Sequence, residues 1–560
     1  MDKLIIVEPD KCVGCNACVR TCPAPEANIT KALGNGKFIT TVDTDKCIAC
    51  GECVRNCTHG ARDYIDDTMD ALDAIKREPH IVIAAPAIKS VFPRTWTGIL
   101  DWFKKRGCKI YDVSFGADIC TWAHLRAIQR NQVENIITQP CAAIVKYIET
   151  YKPILVNDLS PIHSPMLCAV VYIRKYLKRK EPIIALSPCI AKKNEFMETG
   201  LVKYNVTFGK LNKYFEENNI KIPNGSLDFN YDFTGEQGQV GGIYPRPGGL
   251  RDNLWLHDPD LNITTSEGVH KVYPELDMMA ELPKYMKPQV FDVLSCEFGC
   301  NVGAGTGSNK TIFDVMKTMR DVEQEAKSRR KVTGGFFRGA EDKLFKKFDE
   351  ELSLPDFMRS YHGVRPTPVP DAKVLDDTFL LMGKHTAEDR SYNCHACGYR
   401  SCKDMAIAIA RGLNTPENCV VHAKAVLLAH HSELAKKHEQ LTAITDQCKE
   451  LSKSMQRDMN HVTGNMSSIR ATNGDTAGRV DRVDSLLNNI ITYCQENPEM
   501  DNNKVSQLIA ILETTRDAFS SLNDSINMTT NDTKAVDTYI SNINGLVKEI
   551  NEILVEIENV

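Results

Sequence analysis

Long apolar runs, a signal peptide and an excess of basic residues are all missing from this sequence. No apolar stretch approaches the ~20 residues that a membrane-spanning helix needs, and the N-terminus carries no secretory signal pattern. We therefore expect a cytoplasmic protein without a membrane span. The formal net charge of −5 argues against a broad nucleic-acid surface, because such surfaces are normally basic. The length of 560 residues suggests about four domains.

Cysteine, by contrast, is abundant. It occurs 21 times, and in a reducing compartment closely spaced thiols are more often metal ligands or catalytic groups than disulfide partners. Sixteen of the cysteines fall into four recognisable sets. The others are expected to be small buried hydrophobic residues: Cys108, Cys120, Cys168, Cys448 and Cys494.

Two runs near the N-terminus share the spacing C-x2-C-x2-C-x3-C, namely CVGCNACVRTCP (12–23) and CIACGECVRNCT (47–58). Such runs let three thiolates hold one cubane while the fourth reaches the other cluster. This logic assigns two 4Fe–4S clusters, held by Cys12, Cys15, Cys18 and Cys57, and by Cys47, Cys50, Cys53 and Cys22. Zinc is the alternative, but zinc sites do not need eight thiols in two such runs. The segment resembles bacterial two-cluster ferredoxins, with Thr58 replacing the usual second proline, and this implies an electron relay.

From about residue 79 the pattern becomes α/β. Short buried strands are predicted in HIVIAAP (80–86), NIITQP (135–140), PIIALSP (182–188) and VFDVLS (290–295), and helices follow two of them. Ligands of open α/β sheets gather beyond the carboxyl ends of the strands, and three of these ends carry cysteine. Four thiols could converge there on a further 4Fe–4S cluster: Cys141, Cys189, Cys296 and Cys300.

The residues around these cysteines resemble the cluster-binding signatures of FeFe hydrogenases. They are SFGAD (114–118), the run 139–166, SPCIAKKNE (187–195) and SCEFGCNVGAGTG (295–307), in the family's order and spacing. The resemblance, which covers roughly residues 79–365, implies an H-cluster. This cofactor is a 4Fe–4S cubane joined to a two-iron subsite that carries CO, cyanide and a bridging dithiolate amine.

The resemblance also assigns individual residues. Cys141, Cys189, Cys296 and Cys300 match the cubane ligands, and Cys300 matches the thiolate shared with the two-iron unit. Lys192 matches the lysine that contacts a cyanide; without its flanking residues it would be interpreted as a solvated helix residue. Two serines of the family's site match Ser160 and Ser164. The glycine-rich loops 241–252 and 301–307 suit close backbone approach to a cofactor, although ordinary turns explain them equally well.

The predicted proton path departs from the family's pattern. Pro140 stands where efficient members have a proton-passing cysteine, and proline has neither a side-chain proton nor a backbone N–H. His124 and Ala127 stand where two glutamates usually complete the path. A positioned relay contributes about 10²–10⁴ in rate, so we expect slow turnover. His124 is the candidate substitute donor, with Cys120 and Cys168 nearby; the alternative is a histidine that only satisfies buried hydrogen bonds. Four further positions also depart: Ala87, Met166, Ser187 and Leu294.

A further cysteine motif, NCHACGYRSC…ENC, spans residues 393–419. Its spacing is C-x2-C-x4-C-x16-C, and it resembles the small 4Fe–4S domain of sensory FeFe hydrogenases and of some other electron-transfer proteins. A zinc knuckle is the alternative. The expected ligands are Cys394, Cys397, Cys402 and Cys419.

From about residue 420 apolar residues recur every seven positions. This pattern predicts long helices that pair within the chain or dimerise, with residues 496–503 as the break between two of them. Cys448 is expected to be a core residue there. The two stripes are formed by Leu434, Leu441, Cys448, Met455, Val462 and Ile469, and by Val536, Ile543, Ile550 and Ile557.

We therefore expect a multidomain α/β protein with four parts. They are a ferredoxin-like two-cluster domain (1–78), an α/β H-cluster domain (79–365), a connector with a four-cysteine 4Fe–4S domain (366–424), and a C-terminal coiled coil or helical bundle for dimerisation or output (425–560). The cofactors would be three accessory 4Fe–4S clusters and one H-cluster.

The resemblance is closest to sensory FeFe hydrogenases with a C-terminal 4Fe–4S domain and no PAS domain. It implies a slow, reversible conversion of H₂ into protons and electrons that senses hydrogen or redox state, with Lys192, Cys300 and His124 as catalytic residues. Expected partners are a ferredoxin-type redox protein, hydrogenase maturation proteins, a second copy of the chain and an unidentified signalling protein. The alternatives are a metabolic ferredoxin-linked hydrogenase, and an Fe–S carrier or scaffold that lacks the two-iron subsite.

Overall fold

The computed structural model describes residues 4–34, 36–138, 141–225, 229–308, 310–329, 332–333, 341–465, 473–496, 503–528 and 533–558. Pro140, on which the predicted loss of the proton path rests, lies outside these residues. The chain divides into two compact units, residues 1–423 and 424–560. Within the described ranges, no helix is long and apolar enough to cross a membrane. The division into four domains stays a prediction.

The N-terminal segment consists of small antiparallel strand pairs and short helices. Its elements are β1 (Ile5–Val7), α1 (Ala17–Arg20), β2 (Asn28–Gly34), β3 (Lys37–Val42), α2 (Glu52–Arg55), β4 (Arg62–Tyr64) and α3 (Thr68–Ala74). Strand β1 pairs with β4, and β2 pairs with β3. Each of the two cysteine runs contains one short helix, and α1 packs against α2.

The middle of the chain contains two parallel sheets. Its first half comprises β5 (Ile81–Ala84), α4 (Ile88–Val91), α5 (Trp96–Lys104), β6 (Lys109–Asp112), α6 (Val113–Gln129), β7 (Ile136–Ile137), α7 (Ala142–Tyr151), α8 (Pro165–Val171), β8 (Ile183–Ser187), α9 (Lys192–Thr199), β9 (Tyr204–Thr207) and α10 (Phe208–Glu217). Its second half comprises α11 (Gly249–Trp255), β10 (Ile263–Glu267), α12 (Val272–Met279), β11 (Val290–Leu294), α13 (Ile312–Arg329), β12 (Val332–Thr333), β13 (Glu341–Asp342) and α14 (Lys343–Glu351). The strand orders are β6-β5-β8-β9 and β10-β11-β7, with parallel neighbours throughout both sheets.

The central strands follow from their composition. Strands β5, β8 and β11 are buried at every position, as near-continuous apolar runs are in parallel sheets covered on both faces. The four strands predicted in this region are confirmed, and so are the helices α7 and α9. The SFGAD segment (114–118) lies inside α6, which the Asp112 carboxylate caps by accepting a hydrogen bond from the Ser114 N–H at 2.9 Å.

The end of the first unit is a small helical region. It contains α15 (Ala372–Leu381), α16 (Ala387–Arg390), α17 (Cys402–Ala410) and the start of α18 (Val420–Asn465). Phe379, Met382 and Met405 form its apolar core with three of its cysteines, and Val19 of the N-terminal segment packs into the same core. The four-cysteine motif is thus docked on the N-terminal segment.

The second unit contains the rest of α18 together with α19 (Asn473–Glu496), α20 (Asn503–Met528) and α21 (Thr533–Glu558). The described residues of this region form four helices, more than the two long helices that a single break would give, and the predicted break at 496–503 lies between α19 and α20. Cys448 is buried in the apolar core with Leu487, Leu512 and Ile543. Pairing as a coiled coil or dimer stays a prediction. Ile469 and residues 497–502 of the predicted break lie outside the described residues, as do the side chains of Val462, Val536 and Ile557.

Candidate active site

A cavity lies where the two parallel sheets end. Cys189 follows β8 of one sheet, whereas Cys141 follows β7, and Cys296 and Cys300 follow β11, of the other. All four thiols line the cavity. Burial, followed by the neighbouring Cys189 and Cys141 thiols, raises the pKa of Cys300 to about 12. The structure therefore brings together the four cysteines predicted from the strand ends.

The remaining wall of the cavity is largely apolar. Among the described residues that line it, Lys192 is the one with a charged side chain, and it is 7% exposed. A fixed ammonium in an apolar cavity makes strong charge-assisted contacts with an anionic ligand. Three of the positions that depart from the family's pattern also line the cavity: Ala87, Met166 and Leu294. Ser187 does not; its hydroxyl donates to Asn205 Oδ1 at 2.7 Å.

Glu195 holds the Lys192 side chain in place. The Lys192 ammonium donates to Glu195 Oε2 at 2.6 Å, and both side chains are buried. Ser164 Oγ donates to the same oxygen at 3.1 Å, and Arg359 lies 3.9 Å from the other. Glu195 lies in the SPCIAKKNE run (187–195) but was not one of the predicted site residues. Its spacing of three residues from Lys192 on a helix was the available signal.

His124 lies behind the cavity wall, in α6. Its Nε2 atom lies 2.8 Å from Ser160 Oγ, and its Nδ1 atom lies 2.8 Å from the Cys120 carbonyl oxygen. Burial lowers the pKa of His124, but the neighbouring Cys120 thiol outweighs burial and raises it above the ordinary value. The predicted residues Ser160 and Ser164 are fully buried and contact His124 and Glu195. They do not line the cavity.

The second N-terminal cysteine set adjoins the cavity. Cys50 is one of the lining residues, and a Cβ atom added to Gly51 would lie 2.4 Å from Ala304 Cβ. Burial, and then Cys22, raise the pKa of Cys50 well above its ordinary value, with smaller contributions from Cys53 and Cys47. The set predicted from sequence is therefore grouped in space, next to the four cavity thiols.

A buried arginine, Arg62, contacts the first N-terminal set. Cys12 and Cys15 both raise the pKa of Cys18, although burial contributes more. The Arg62 Nη2 atom donates to Cys18 Sγ at 3.2 Å and to the Thr40 carbonyl at 2.9 Å, and its buried Nη1 atom has no hydrogen-bond partner among the described residues. An unpaired, buried guanidinium N–H beside thiols fits an anionic, thiolate-bound cluster. Cys57, the fourth predicted ligand, follows α2.

The four-cysteine motif forms the third group. Burial, followed by Cys419 and Cys394, raises the pKa of Cys397, and the Asn393 N–H donates to Cys402 Sγ at 3.4 Å. Cys394 is exposed, whereas the other three cysteines are buried. In the described part of the chain, no three His, Cys, Asp or Glu side chains are arranged to hold a single metal ion. The cysteine sets are thus assigned from chain spacing, burial and mutual effects on pKa.

Three segments match protein families. Residues 11–61 match the 4Fe-4S dicluster domain, residues 78–255 match "Iron only hydrogenase large subunit, C-terminal domain", and residues 391–421 match the Fe–S cluster family named FeS. Among curated proteins, no significant match was found.

Solved structures with similarity include two variants of the [FeFe]-hydrogenase HydA1 from Chlamydomonas reinhardtii. A Glu-to-Gln variant is 14% identical with a TM-score of 0.39, and a Glu-to-Ala variant is 14% identical with a TM-score of 0.41. Each similarity covers 53% of this chain and 99% of the other. A structure described as HydA(deltaEFG), from a study of H-cluster assembly, is 13% identical with a TM-score of 0.39, and covers 53% and 99%.

The family matches and the grouped thiols define an iron–sulfur protein suited to electron transfer. Because the hydrogenase match covers the cavity cysteines Cys141 and Cys189, the chain is an FeFe hydrogenase-like protein, which confirms the resemblance found in the sequence.

Proposed function

We propose that this protein is a slow FeFe hydrogenase that interconverts H₂ with protons and electrons and serves as a sensor. The observation that carries the proposal is the convergence of four thiols and one ammonium on a single apolar cavity. Cys141, Cys189, Cys296 and Cys300 would hold the cubane of an H-cluster, and Cys300 would be shared with the two-iron subsite. When bound, this group supplies the iron centre at which H₂ is split or formed.

The chain's own residues would bind, orient and exclude water. Lys192 would donate to an anionic cyanide of the cofactor, and Glu195 keeps the lysine in position through the 2.6 Å contact. His124 would hold a proton at Nδ1 or Nε2 in place of the usual glutamate.

Three accessory 4Fe–4S clusters complete the proposal. They would be held by the three other cysteine sets, of which the set with Cys50 adjoins the cavity. The sensory role is supported by apolar side chains at positions where the family uses polar ones, since Ala87 and Met166 both line the cavity and neither carries a titratable proton. Dimerisation, a signalling partner and a cytoplasmic location belong to the same proposal.

Infrared spectroscopy of the anaerobically matured protein tests the cofactor. We expect CO and cyanide stretching bands that shift under H₂. Lys192→Met should weaken or abolish the bands, because the cyanide loses its ammonium partner. Lys193→Met is the matched control, because Lys193 is the next residue but pairs with Asp67 at 2.8 Å and does not line the cavity, so its bands should be unchanged.

Two results would overturn parts of this proposal. Competent maturation without CO and cyanide bands would leave an Fe–S electron carrier or scaffold. Bands accompanied by rapid H₂ evolution with reduced ferredoxin would indicate a metabolic hydrogenase and would exclude the slow sensory role.

A further inference from the structure

Arg62, the first residue of β4, carries a buried positive charge beside the first N-terminal set. The residue is 5% exposed. Its Nη2 atom donates to Cys18 Sγ at 3.2 Å, to the Thr40 carbonyl at 2.9 Å and to Asn28 Oδ1 at 3.3 Å, and none of these acceptors is a carboxylate. Its buried Nη1 atom has no hydrogen-bond partner among the described residues. A guanidinium buried without a counter-ion is costly, and an anion bound next to Cys18 would compensate this charge.

We propose that Arg62 raises the reduction potential of the 4Fe–4S cluster in the first N-terminal set, so that electrons collect at this cluster. The raised potential rests on the match of residues 11–61 to the dicluster domain, whereas the supply of electrons from H₂ rests on the proposed function. Arg62 acts through Cys18 and does not bind iron, so it is a positioning residue and not a ligand.

The physical cause is the charge that reduction adds. A 4Fe–4S cluster takes up one electron on reduction, so its negative charge grows by one. A cation at hydrogen-bond distance from a ligand sulfur stabilises the more negative form more strongly, and the low dielectric of a buried site strengthens this attraction. The net charge around a cluster and the hydrogen bonds to its sulfurs are among the factors that set its potential. The contact between Arg62 and Cys18 supplies both factors.

The effect should be larger on the first N-terminal set than on the second. In the first set, Arg62 combines its charge with the 3.2 Å hydrogen bond to Cys18 Sγ. In the second set, burial raises the pKa of Cys53, and Arg62 opposes this rise through its charge alone. Both clusters would therefore respond to Arg62, and the one held by Cys18 would respond more.

The first N-terminal set also adjoins the four-cysteine motif. Cys18 packs against the apolar core that Val19 shares with three cysteines of this motif, whereas the second set adjoins the cavity through Cys50. An electron that leaves the cavity would pass the second set before it reaches the first. One H₂ yields two protons and two electrons, which reduce the two N-terminal clusters by one electron each. Retention at the first set places the added charge beside the motif that leads into α18.

A redox titration followed by electron paramagnetic resonance tests the potential without hydrogen turnover. The sample is the full-length, cluster-loaded protein, and dithionite supplies the electrons. A signal that Cys12→Ser alters is assigned to the first set. Arg62→Gln should lower the midpoint potential of that signal by at least about 59 mV, which is a tenfold change in the equilibrium constant of a one-electron couple. Arg62→Lys should lie between this value and the wild type, because lysine keeps the charge but lacks the planar fork.

Arg20→Gln is the matched control. It makes the same change of charge within the first cysteine run, but Arg20 is exposed and donates to the Ala396 carbonyl at 3.5 Å. Water and salt screen its charge, so the wild-type potential should be kept. Equal midpoint potentials in Arg62→Gln and Arg20→Gln would overturn the proposal. If Arg62→Gln does not hold the first cluster, Arg62→Lys decides, since a lowered potential supports the proposal and the wild-type potential overturns it.

Reduction under H₂ gas separates this inference from the proposed function. We expect H₂ to reduce the first cluster of the wild type, and to reduce a smaller fraction of it in Arg62→Gln. A wild-type cluster that dithionite reduces and H₂ does not would show that the proposed function fails. The dithionite titration of Arg62→Gln would then still decide whether Arg62 sets the potential.

Discussion

Asn16 and Asn418 lie 402 residues apart in the sequence and form a reciprocal pair of amide hydrogen bonds. Asn16 Nδ2 donates to Asn418 Oδ1 at 2.8 Å, and Asn418 Nδ2 donates to Asn16 Oδ1 at 3.3 Å. Asn16 lies between two ligand cysteines of the first set, and Asn418 directly precedes Cys419. The pair therefore joins the first N-terminal cysteine loop to the turn just before α18, which begins at Val420.

Loss of this pair should loosen the start of α18. Asn418→Ala leaves the buried Asn16 amide without its partner and removes one of the two hydrogen bonds to Asn414 Oδ1, at a cost of about 1–3 kcal/mol. Hydrogen exchange of the Ala423 N–H, which donates to the Cys419 carbonyl, should show this decrease in local opening free energy. Asn212→Ala is the control, because Asn212 is hydrogen-bonded in an exposed position. Equal protection in both variants would contradict a stabilising role for the pair.

Gly398 lies at a second contact between the four-cysteine motif and the N-terminal segment, and its backbone conformation favours glycine. Its φ is +92°, and an added Cβ atom would lie 2.8 Å from Val19 Cβ. Gly398→Ala should therefore cost about 1–2 kcal/mol for the left-handed backbone and about 1–3 kcal/mol more for overpacking. Gly412→Ala isolates the first cost, because Gly412 has φ +70° and no atom within 4 Å of the added Cβ. Thermal unfolding of the two variants measures the difference, and identical midpoints would refute the close contact.

The buried Asp118 carboxyl makes the free energy of unfolding depend on pH. Burial raises its pKa to about 7, against the opposing hydrogen bonds from the Gln239 and Gly241 N–H groups. Since the folded pKa exceeds the unfolded value near 3.9, the carboxyl binds its proton more tightly in the folded state, and its contribution to stability is lost as pH rises from about 4 through 7. Asp118→Asn loses one acceptor at every pH but does not titrate.

The difference in free energy of unfolding between wild type and Asp118→Asn should therefore narrow as pH rises from about 4 to about 7. Unfolding midpoints across that range measure the gap. A gap that stays constant would show that Asp118 is already ionised in the folded protein throughout the range.

Removing only one partner of the buried Lys192–Glu195 ion pair should lower the free energy of unfolding. Glu195→Ala leaves the ammonium uncompensated in the cavity wall, which destabilises by about 3–5 kcal/mol. A double variant, Lys192→Met with Glu195→Gln, should recover most of that loss, because the ammonium is removed with its carboxylate and Arg359 still pairs with Glu198 at 3.4 Å. Denaturant unfolding of the three proteins gives the comparison, and an equally unstable double variant would show that the cost arises from packing instead of charge.

The helical unit offers a matched pair of adjacent leucines in α19. Leu487 is 0% exposed and Leu486 is 51% exposed. Leu487→Ala should destabilise the unit by about 2–5 kcal/mol, because it leaves a cavity in the core, whereas Leu486→Ala should stay within about 0.5 kcal/mol. Hydrogen exchange in α19 and α20 measures both. A large effect at Leu486 would mean that this position is covered, as the predicted dimer would require.

The sequence alone determined the cysteine sets that depend on local spacing. The predicted ligands at 12–22, 47–57 and 394–402 follow from turn geometry, since a few residues between thiols fix how closely their sulfur atoms can approach, and these assignments stay predictions. Strands β5, β7, β8 and β11 were also predictable, because a short, continuous apolar run bounded by turn residues has few alternatives. Local spacing alone did not identify the four cavity cysteines, Cys141, Cys189, Cys296 and Cys300. Their assignment also required the strand-end rule and a family resemblance.

Tertiary structure decided which distant residues meet. Only the fold shows that the cavity thiols come from the ends of two sheets, that Glu195 holds Lys192, and that Asn16 pairs with Asn418. It also shows that the buried Cys120 lies beside His124. The reason is physical: periodicity and spacing record local geometry, whereas the partners that set a side chain's charge and hydrogen bonding come from segments tens or hundreds of residues away.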